Sequence, residues 1–258
     1  MTRHRFLALA LLIGLAPLDR EVGAQTSLGT DTIRISGSTT VFTTVFDKGR
    51  DGIARDAGVT LEVIANGSRQ GLADLLSNRS EIAMISAPLD EVVAQMPPAE
   101  RARFDPSALV VSHLTDTQLV FVVNESNPTR ALTIKQLSDL FTGASTNWNQ
   151  VGGPNLKVEI VSNQFSSGQR AVLEEKVTSG KPVTATAKWV LNDPLIAGIV
   201  RQLKGGLGHS NARSDLRGVH VLKTDRPIVQ PLFLITRGKP SGRIARVIAA
   251  SQKAAGAR

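Results

Sequence analysis

The chain has 258 residues, with 30 Lys and Arg against 22 Asp and Glu and a formal net charge of +8. Its 41% hydrophobic and 20% charged residues are ordinary for a globular protein of one or two domains, which excludes wholesale disorder, collagen and coiled coils. Zero cysteines exclude disulfides, thiolate metal sites, cysteine nucleophiles and a lipid anchor on an N-terminal Cys. The positive charge suggests an anionic partner without indicating its kind.

The first two dozen residues have the pattern of a secretory signal. Arg3 and Arg5 precede an apolar run from Phe6 to Ala16, and Val22-Gly23-Ala24 forms a small-residue cleavage site. The run is shorter than the roughly 20 residues that a membrane span needs. We therefore expect cleavage after Ala24, export to the periplasm and no stable membrane insertion afterwards, with an uncleaved anchor as the alternative.

Short apolar strands alternate with helical periods over the first ninety residues, which is typical of an α/β fold. The strands are predicted around Ile33 to Ile35, Leu61 to Ala65 and Ile82 to Ile85. One helical face is predicted from Phe42 to Ile53, and another helix around Leu72 to Leu76. The pattern indicates two successive strand–turn–helix units and a third strand.

The same alternation continues after residue 117. We predict a strand from Gln118 to Val123, a helix that opens at Thr133 with a capping box to Gln136, a strand at Val158 to Ile160 and a helix from about Gly168.

Three further expectations concern the last third of the chain. Asp193-Pro194 has the residue types of an N-cap and first turn for a following helix. The glycine-rich stretch from Gly205 to Gly208 predicts a loop before His209, in a position to line a cleft. The apolar run from Ile228 to Ile235 contains the polar and ring residues Gln230-Pro231 and is followed by a final basic helix.

Small hydroxyl and glycine residues follow four of the predicted strands. They are Ser36-Gly37-Ser38-Thr39-Thr40, Asn66-Gly67-Ser68, Ser86 and Ser166-Ser167-Gly168. A helix N-terminus leaves backbone N–H groups unpaired and favours negative charge, so each such turn can hold a phosphate-like oxyanion. In an open α/β sheet these turns gather in one crevice at the carboxyl ends of the strands. The plain alternative is that they are only N-caps.

Signatures of an enzyme or a metal site are weak. The chain has no G-x-S-x-G, G-x-x-x-x-G-K-[ST], H-E-x-x-H or G-x-G-x-x-G motif, and His113, His209 and His220 lack partners at ligand spacing. The basic residues near the C-terminus are not interleaved with aromatic residues, as nucleic-acid recognition would require. We therefore expect no enzymatic activity, no metal, no cofactor and no nucleic-acid partner.

At these turns the sequence resembles the periplasmic phosphate-binding proteins of bacterial ABC transporters. The matching segments are Ile35–Phe42, Asn66–Gly71, Ile82–Leu89, the run from Leu119 through Phe141, Gly143, Asn147-Trp148 and Val151-Gly152-Gly153 to Ser167-Gly168, and Arg226–Leu232. The resemblance covers nearly all of the chain beyond the signal segment. It implies an α/β, two-lobed type II periplasmic binding protein fold with two interlobe crossing segments, near residues 113–117 and 223–227.

The resemblance also implies where the ligand binds and how the chain is divided. The ligand-binding positions are Thr39, Thr40, Val41 (through its backbone N–H), Ser68, Arg69, Ser86, Asn163, Ser167, Gly168 and Gln169. The divisions are a signal peptide over residues 1–24, a first lobe over 25–115 and 225–258, and a second lobe over 116–224. The implied partners are phosphate and a membrane permease, and the implied state is a monomer.

Two positions depart from the family's pattern. Ser86 stands where some members carry an Asp that accepts a hydrogen bond from protonated phosphate, and others carry Ser. Asn163 stands where an Arg normally contacts the ligand, and Gln169 where a Thr is usual. Loss of a charge-assisted bond of roughly 1.5–3 kcal/mol weakens anion binding, unless Arg69 or Arg170 replaces it.

These departures leave three functional readings open. The first is a binding protein that delivers inorganic phosphate to an ABC transporter. The second keeps the fold for a sensor, an adhesion or matrix protein, or a carrier of another anion, with weak or no phosphate binding because of Asn163. The third is a hydrolase of phosphate or acyl esters, whose catalytic groups would have to be distant in sequence.

Overall fold

A computed structural model describes residues 31–102, 105–164 and 167–256 of the chain. The predicted signal peptide, and Ser166 of the last anion turn, lie outside these ranges. Among the residues that are described, no helix is long and apolar enough to cross a membrane.

The strands and helices alternate along the described residues, as the apolar pattern predicts. The strands are β1 (Thr32–Gly37), β2 (Thr60–Ala65), β3 (Ile82–Ile85), β4 (Leu109–Asn124), β5 (Ala131–Leu132), β6 (Glu159–Asn163), β7 (Lys188–Val190), β8 (Gly206–Asn211), β9 (Val219–Val221), β10 (Lys223–Thr224) and β11 (Ile228–Arg237). The α-helices are α1 (Thr39–Val41), α2 (Arg50–Ala57), α3 (Ser68–Leu76), α4 (Leu89–Ala94), α5 (Pro98–Arg101), α6 (Ile134–Thr142), α7 (Gly168–Lys176), α8 (Pro194–Gln202) and α9 (Gly242–Gly256). A π-helical turn spans Phe42–Phe46, and 3-10 turns span Pro106–Ala108 and Trp148–Val151.

Most of these strands form one mixed sheet in the order β2-β1-β3-β11-β4-β8-β6-β7, with β9 pairing to β4. At one end β1 runs parallel to β2 and β3, and at the other β6 runs parallel to β7 and β8. We call the end with β1, β2 and β3 the first lobe and the end with β6, β7 and β8 the second lobe. The short strands β5 and β10 pair separately.

Two long antiparallel strands connect the lobes. β4 pairs with β11 from Leu119 opposite Ile228 to Leu109 opposite Arg237. β4 contains the predicted crossing at 113–117 and begins nine residues before the predicted strand at Gln118. The lobe boundaries given above remain predictions.

The apolar run forms strand β11, which continues through Gln230 and Pro231. Gln230 is buried, and its side-chain Nε2 donates to the backbone oxygen of Ser86 at 3.1 Å. Pro231 has no N–H to pair, and the ladder shifts its register one residue later, between Leu232 and Phe233.

The single helix predicted from Phe42 to Ile53 is wrong. The chain forms the π-helical turn first and starts α2 only at Arg50, after Gly49. The run Thr43-Thr44-Val45 explains the break, since β-branched side chains fit an α-helix poorly.

The loop predicted from Gly205 to Gly208 is wrong, because strand β8 begins at Gly206 and carries His209 in its interior. These glycines let helix α8 pack directly on the strand. A Cβ on Gly208 would lie 2.5 Å from the Cγ2 atom of Ile196 and 2.9 Å from that of Val200. Glycine here marks close packing of a helix on a strand and not a turn.

The core lies on both faces of the sheet. One buried cluster packs α9 and the π-helical turn against β1, with Ile33, Phe46 and Val247 at its centre. A larger cluster packs α6 and α7 against β4, where the rings of Phe121 and Phe141 have centroids 5.8 Å apart. Helix α6 starts with the predicted capping box between Thr133 and Gln136. The site described next therefore rests on two packed lobes.

Candidate functional site

Three of the predicted anion turns come together at the carboxyl ends of β1, β2 and β6. Ser38 caps α1 by accepting a hydrogen bond from the backbone N–H of Val41 at 3.3 Å. Helix α3 opens at Ser68 after Gly67, whose φ of +94° favours glycine. Ser167 caps α7 by accepting from the backbone N–H of Gln169 at 3.1 Å. These turns place hydroxyls and backbone amides around one space.

That space is a cavity of about 120 Å³ between the lobes. Its lining includes four of the predicted ligand-binding residues, which are Thr39, Ser68, Ser167 and Gly168. The other lining residues are Ser38, Ala65, Asn66, Gly67, Gln164, Leu191, Asn192 and Asp193. Drug-sized ligands occupy pockets of about 300–1,000 Å³, so this cavity suits a small ion.

The cavity has one charged residue in its lining, the buried Asp193. Its Oδ1 accepts hydrogen bonds from Ser167 Oγ at 2.9 Å and from the side-chain amide of Asn163. Its Oδ2 accepts from Thr40 Oγ1 at 3.4 Å. Three predicted ligand-binding residues, two from the second lobe and one from the first, thus point to a carboxylate of the protein itself.

Asp193 lies at the predicted N-cap position, and α8 begins at Pro194 as expected, but the Asp193 side chain does not cap the helix. Its backbone, with φ −57° and ψ −41°, is already helical, and its side chain makes no capping hydrogen bond. A capping residue normally has extended backbone angles, which turn its side chain back onto the helix. Asp193 directs its carboxylate toward Thr40, Asn163 and Ser167 instead.

Burial raises the pKa of Asp193 to about 6, because the charged carboxylate loses its hydration. The hydroxyls of Ser167 and Thr40 oppose this shift by donating to the charged form. Charged and neutral forms are therefore both accessible in the pH range of ordinary binding experiments.

A hydrogen-bonded chain runs from Thr40 into the second lobe. Gln169 Nε2 donates to Thr40 Oγ1 at 3.1 Å, and Gln169 Oε1 lies 3.3 Å from His209 Nδ1. His209 Nε2 lies 2.9 Å from Ser162 Oγ. Burial, with a smaller contribution from the positive charge of Arg170, lowers the pKa of His209 to about 3, so the imidazole is neutral at pH 7.

The remaining predicted residues lie behind or beside the cavity. Ser86 accepts from Ser38 Oγ at 2.8 Å, and its backbone N–H donates to Ser68 Oγ at 3.3 Å. The backbone N–H of Val41 is engaged by Ser38. Arg69 is not among the lining residues, and its guanidinium pairs with Glu100 at 3.4 Å. The ligand-binding roles of Ser86, Val41 and Arg69 remain predictions.

At Gly168 the start of α7 approaches the first lobe closely. A Cβ at this position would lie 2.3 Å from Ser86 Oγ and 2.9 Å from Ser68 Oγ. No side chain larger than a hydrogen fits there unless the lobes separate. The start of α7 therefore lies directly against the hydroxyls of the first lobe.

The described residues bear on two further kinds of site, a metal site and a hydroxyl–imidazole pair. None of their His, Asp or Glu side chains gather in groups of three or more that suit a metal ion. Ser162 and His209 form a hydroxyl–imidazole pair, but both are fully buried and the second ring nitrogen faces Gln169, not a carboxylate. The cavity lining offers hydroxyl, amide and backbone groups that can form hydrogen bonds.

Sequence reasoning missed the role of two residues. Asp193 is 153 positions from Thr40, and its place before Pro194 is typical of a simple cap. The sequence pattern points to His209, but as part of a loop that lines a cleft. Because both roles depend on contacts between distant elements, no local signal in the sequence indicates them.

A small polar cavity between two α/β lobes is typical of solute-binding proteins. A family model described as a PBP superfamily domain matches residues 22–223, and the chain belongs to this family. The α/β two-lobed fold implied by the resemblance is thereby confirmed.

Two individual relatives are named as phosphate-binding proteins, in line with the resemblance described above. Phosphate-binding protein PstS of Bacillus subtilis is 24% identical over 179 residues, which cover 68% of this chain and 57% of that protein. Phosphate-binding protein PstS 2 of Streptococcus agalactiae is 25% identical over 139 residues, covering 54% and 43%. The chain thus spans about half the length of these curated relatives.

A solved structure shows the same fold. It is a putative phosphate ABC transporter substrate-binding protein from Clostridium perfringens with bound phosphate, which superposes with a TM-score of 0.72 at 20% identity. The match covers 85% of this chain and 92% of that one. The resemblance to phosphate-binding proteins of ABC transporters is confirmed at the level of the family.

Proposed function

We propose that the chain is an exported solute-binding protein that captures inorganic phosphate, or a similar tetrahedral oxyanion, in the interlobe cavity. It then presents the ion to the permease of an ABC transporter. The chain acts as a periplasmic monomer and makes or breaks no bond in the ligand. The names of the relatives support this proposal, and the signal-like N-terminal segment supports export.

The convergence of neutral donors is the observation that carries the proposal. Ser38, Ser68 and Ser167 bring hydroxyls from three separate turns, and Gly168 opens α7 at the lining of the cavity. Backbone N–H groups in the first turn of a helix have no partner within the helix and attract negative charge. A small cavity with several donors selects a ligand that is rich in acceptors, and a tetrahedral oxyanion is such a ligand.

Closure of the cleft follows from the two-lobed construction. Ser68 belongs to the first lobe, while Ser167 and Gly168 belong to the second. An ion in the cavity touches donors from both lobes only when they are together, so its binding energy favours the closed form. The closed form is the one that a permease distinguishes from the empty protein.

Isothermal titration with phosphate, sulfate and molybdate tests the proposal. We expect a sub-millimolar dissociation constant for phosphate and weaker binding of the other two anions. In S68A we expect phosphate affinity to fall about tenfold, the loss that accompanies removal of one hydrogen bond to a charged group. S77A, at the exposed far end of α3, is the matched control and should bind like the unmodified protein.

Two results would contradict the proposal. One is phosphate binding that stays weaker than millimolar, and the other is tighter binding of molybdate or sulfate, which would indicate a carrier of another anion. Turnover of nitrophenyl phosphate or nitrophenyl acetate would indicate the hydrolase reading instead.

A further inference from the structure

The carboxylate of Asp193 occupies hydrogen-bond donors that the resemblance assigns to the ligand. Thr40, Asn163 and Ser167 are three predicted anion contacts, and each donates to Asp193. A donor that is already committed to one anion is not available to a second. The protein therefore carries an anionic group that competes for its own site.

Among the described residues that contact this carboxylate, none brings a positive charge to offset it. The elements packed around it present Thr40 from α1, Asn163 from β6 and Ser167 from the start of α7, all of which are neutral. The nearest ionisable groups in the same network are His209, reached through Gln169, and Arg170 beside His209. Two negative charges in a small cavity that is shielded from bulk water repel each other strongly.

The site also offers an acceptor for a proton on Asp193. Asn163 Oδ1 is buried and has no hydrogen-bond partner among the described residues, while Nδ2 of the same amide donates to Asp193. A half-turn of the amide would exchange the two atoms. Oδ1 would then accept a hydrogen bond from the O–H of protonated Asp193.

We propose that Asp193 is a tethered competitor of the oxyanion, and that the ligand gains Thr40 and Ser167 only when the Asp193 carboxylate takes up a proton. This inference rests on the proposed function and adds a determinant of affinity that the site residues implied by the resemblance do not include. The proton comes from the solvent and adds to a carboxylate oxygen, so one proton enters the protein with each anion.

The size of the effect follows from the pKa of about 6 that burial gives Asp193. Near pH 7.5 about one molecule in 30 is protonated, so the apparent phosphate affinity is about 30-fold below that of the protonated form. Near pH 5 nearly all molecules are protonated, and the penalty almost disappears. Phosphate binding is thus expected to tighten as pH falls through about 6.

The variant D193N tests this because its side chain resembles the protonated acid. We expect it to bind phosphate about 30-fold more tightly than the unmodified protein near pH 7.5 and about equally near pH 5. The control D139N removes one negative charge from the surface of α6, where Asp139 pairs with Lys135 at 2.8 Å. It should bind phosphate like the unmodified protein at both pH values.

A second measurement needs no change in the site. Titration of the unmodified protein with phosphate in two buffers of different ionisation enthalpy gives the number of protons taken up. Near pH 7.5 we expect the unmodified protein to take up about one proton more per phosphate than D193N does. The titration of the ligand itself is common to both proteins and cancels in this comparison.

The outcomes separate this inference from the proposed function. Weaker phosphate binding by D193N, with no difference in proton uptake, would overturn the inference, because Asp193 would then be a direct acceptor for the ligand; the proposed function would stand. Phosphate binding near pH 7.5 by D193N, but not by the unmodified protein, would support the inference. Failure of both proteins to bind phosphate between about pH 5 and 8 would overturn both.

Discussion

Thr40 and Asp193 meet across the cleft, with the hydroxyl of Thr40 3.4 Å from the carboxylate Oδ2 of Asp193. The same hydroxyl accepts a hydrogen bond from Gln169 at 3.1 Å. One side chain of the first lobe thus holds two side chains of the second. This contact links the two lobes through a single buried acid.

We expect T40V to lose both interlobe hydrogen bonds. Valine has nearly the shape of threonine but lacks the hydroxyl, so a buried donor on Gln169 and an acceptor on Asp193 lose a partner. The free energy of unfolding should fall by about 1–3 kcal/mol, measured by urea denaturation. Phosphate affinity should fall about tenfold or more, measured by calorimetry.

T43V is the matched control for T40V. Thr43 lies one turn later, is exposed, and donates only to the backbone oxygens of Thr39 and Thr40. It should change neither quantity measurably. Equal effects of T40V and T43V would contradict the role given to the Thr40 hydroxyl.

The buried His209 should make the protein sensitive to acid. Its pKa is lowered to about 3 by burial, whereas an unfolded histidine titrates near pH 6.5. The neutral form therefore stabilises the fold fully above about pH 6.5, and this stability is lost as pH falls toward 3 at up to about 1.4 kcal/mol per pH unit.

In H209Q we expect that part of the acid sensitivity to disappear, because glutamine keeps polar groups beside Ser162 and Gln169 but does not titrate. The difference in unfolding free energy between the unmodified protein and H209Q should shrink steadily between about pH 6.5 and 4.5. H113Q, which changes an exposed histidine on β4, serves as the comparison. A difference that does not vary with pH would show that His209 does not titrate as a buried group.

The close approach at Gly168 predicts a specific effect of one methyl group. In G168A the new Cβ would collide with Ser86 Oγ and Ser68 Oγ, so the lobes have to separate and phosphate affinity should fall by at least tenfold. Both lobes should remain folded, since Gly168 is the first residue of α7 and has no positive φ.

G198A is the control for this substitution. Gly198 lies within α8, and nothing surrounds the place of a new Cβ within 4 Å. It should leave phosphate affinity unchanged and stabilise the protein by about 0.5–1 kcal/mol through helix propensity. Retention of full phosphate affinity by G168A would mean that the ligand does not require this closed arrangement.

The site lacks the arginine that the family normally provides, and N163R restores it. The new guanidinium would lie beside Asp193 and supply both a partner for the carboxylate and donors for the ligand. We expect phosphate to bind about tenfold or more tightly by calorimetry, and to depend less on pH, because a charge-assisted bond contributes roughly 1.5–3 kcal/mol.

N149R adds the same charge on an exposed residue of the second lobe and should leave affinity unchanged. It separates a contact in the cavity from general attraction of anions by a more basic protein. Weaker or unchanged phosphate binding by N163R would mean that the turn before α7 is not aligned with the ligand as the resemblance implies.

The sequence predicted the local parts of this molecule well. Strand β3, helix α6 with its cap at Thr133, and the start of α7 at Gly168 follow from apolar period and capping residues, which act over a few positions. The cavity hydroxyls of Ser68 and Ser167 were also predictable, since they sit at helix starts that follow strands.

The parts that failed depend on contacts between distant elements. Gly208 looks like a loop residue in the sequence, whereas in the structure α8 packs on β8 at this position. Asp193 has the sequence context of a helix cap, and only the fold brings it to Thr40. Burial and pairing at such positions are tertiary properties, which a local pattern does not contain.

A crystal structure of the protein grown with phosphate near pH 5 would test the central claim most directly. We predict one phosphate in the interlobe cavity, with its oxygens within hydrogen-bond distance of Ser68, Ser167 and the backbone of Gly168, and with Thr40 turned from Asp193 to the ligand. Phosphate bound elsewhere, or a cavity in which Asp193 keeps all three donors while phosphate is bound, would contradict it.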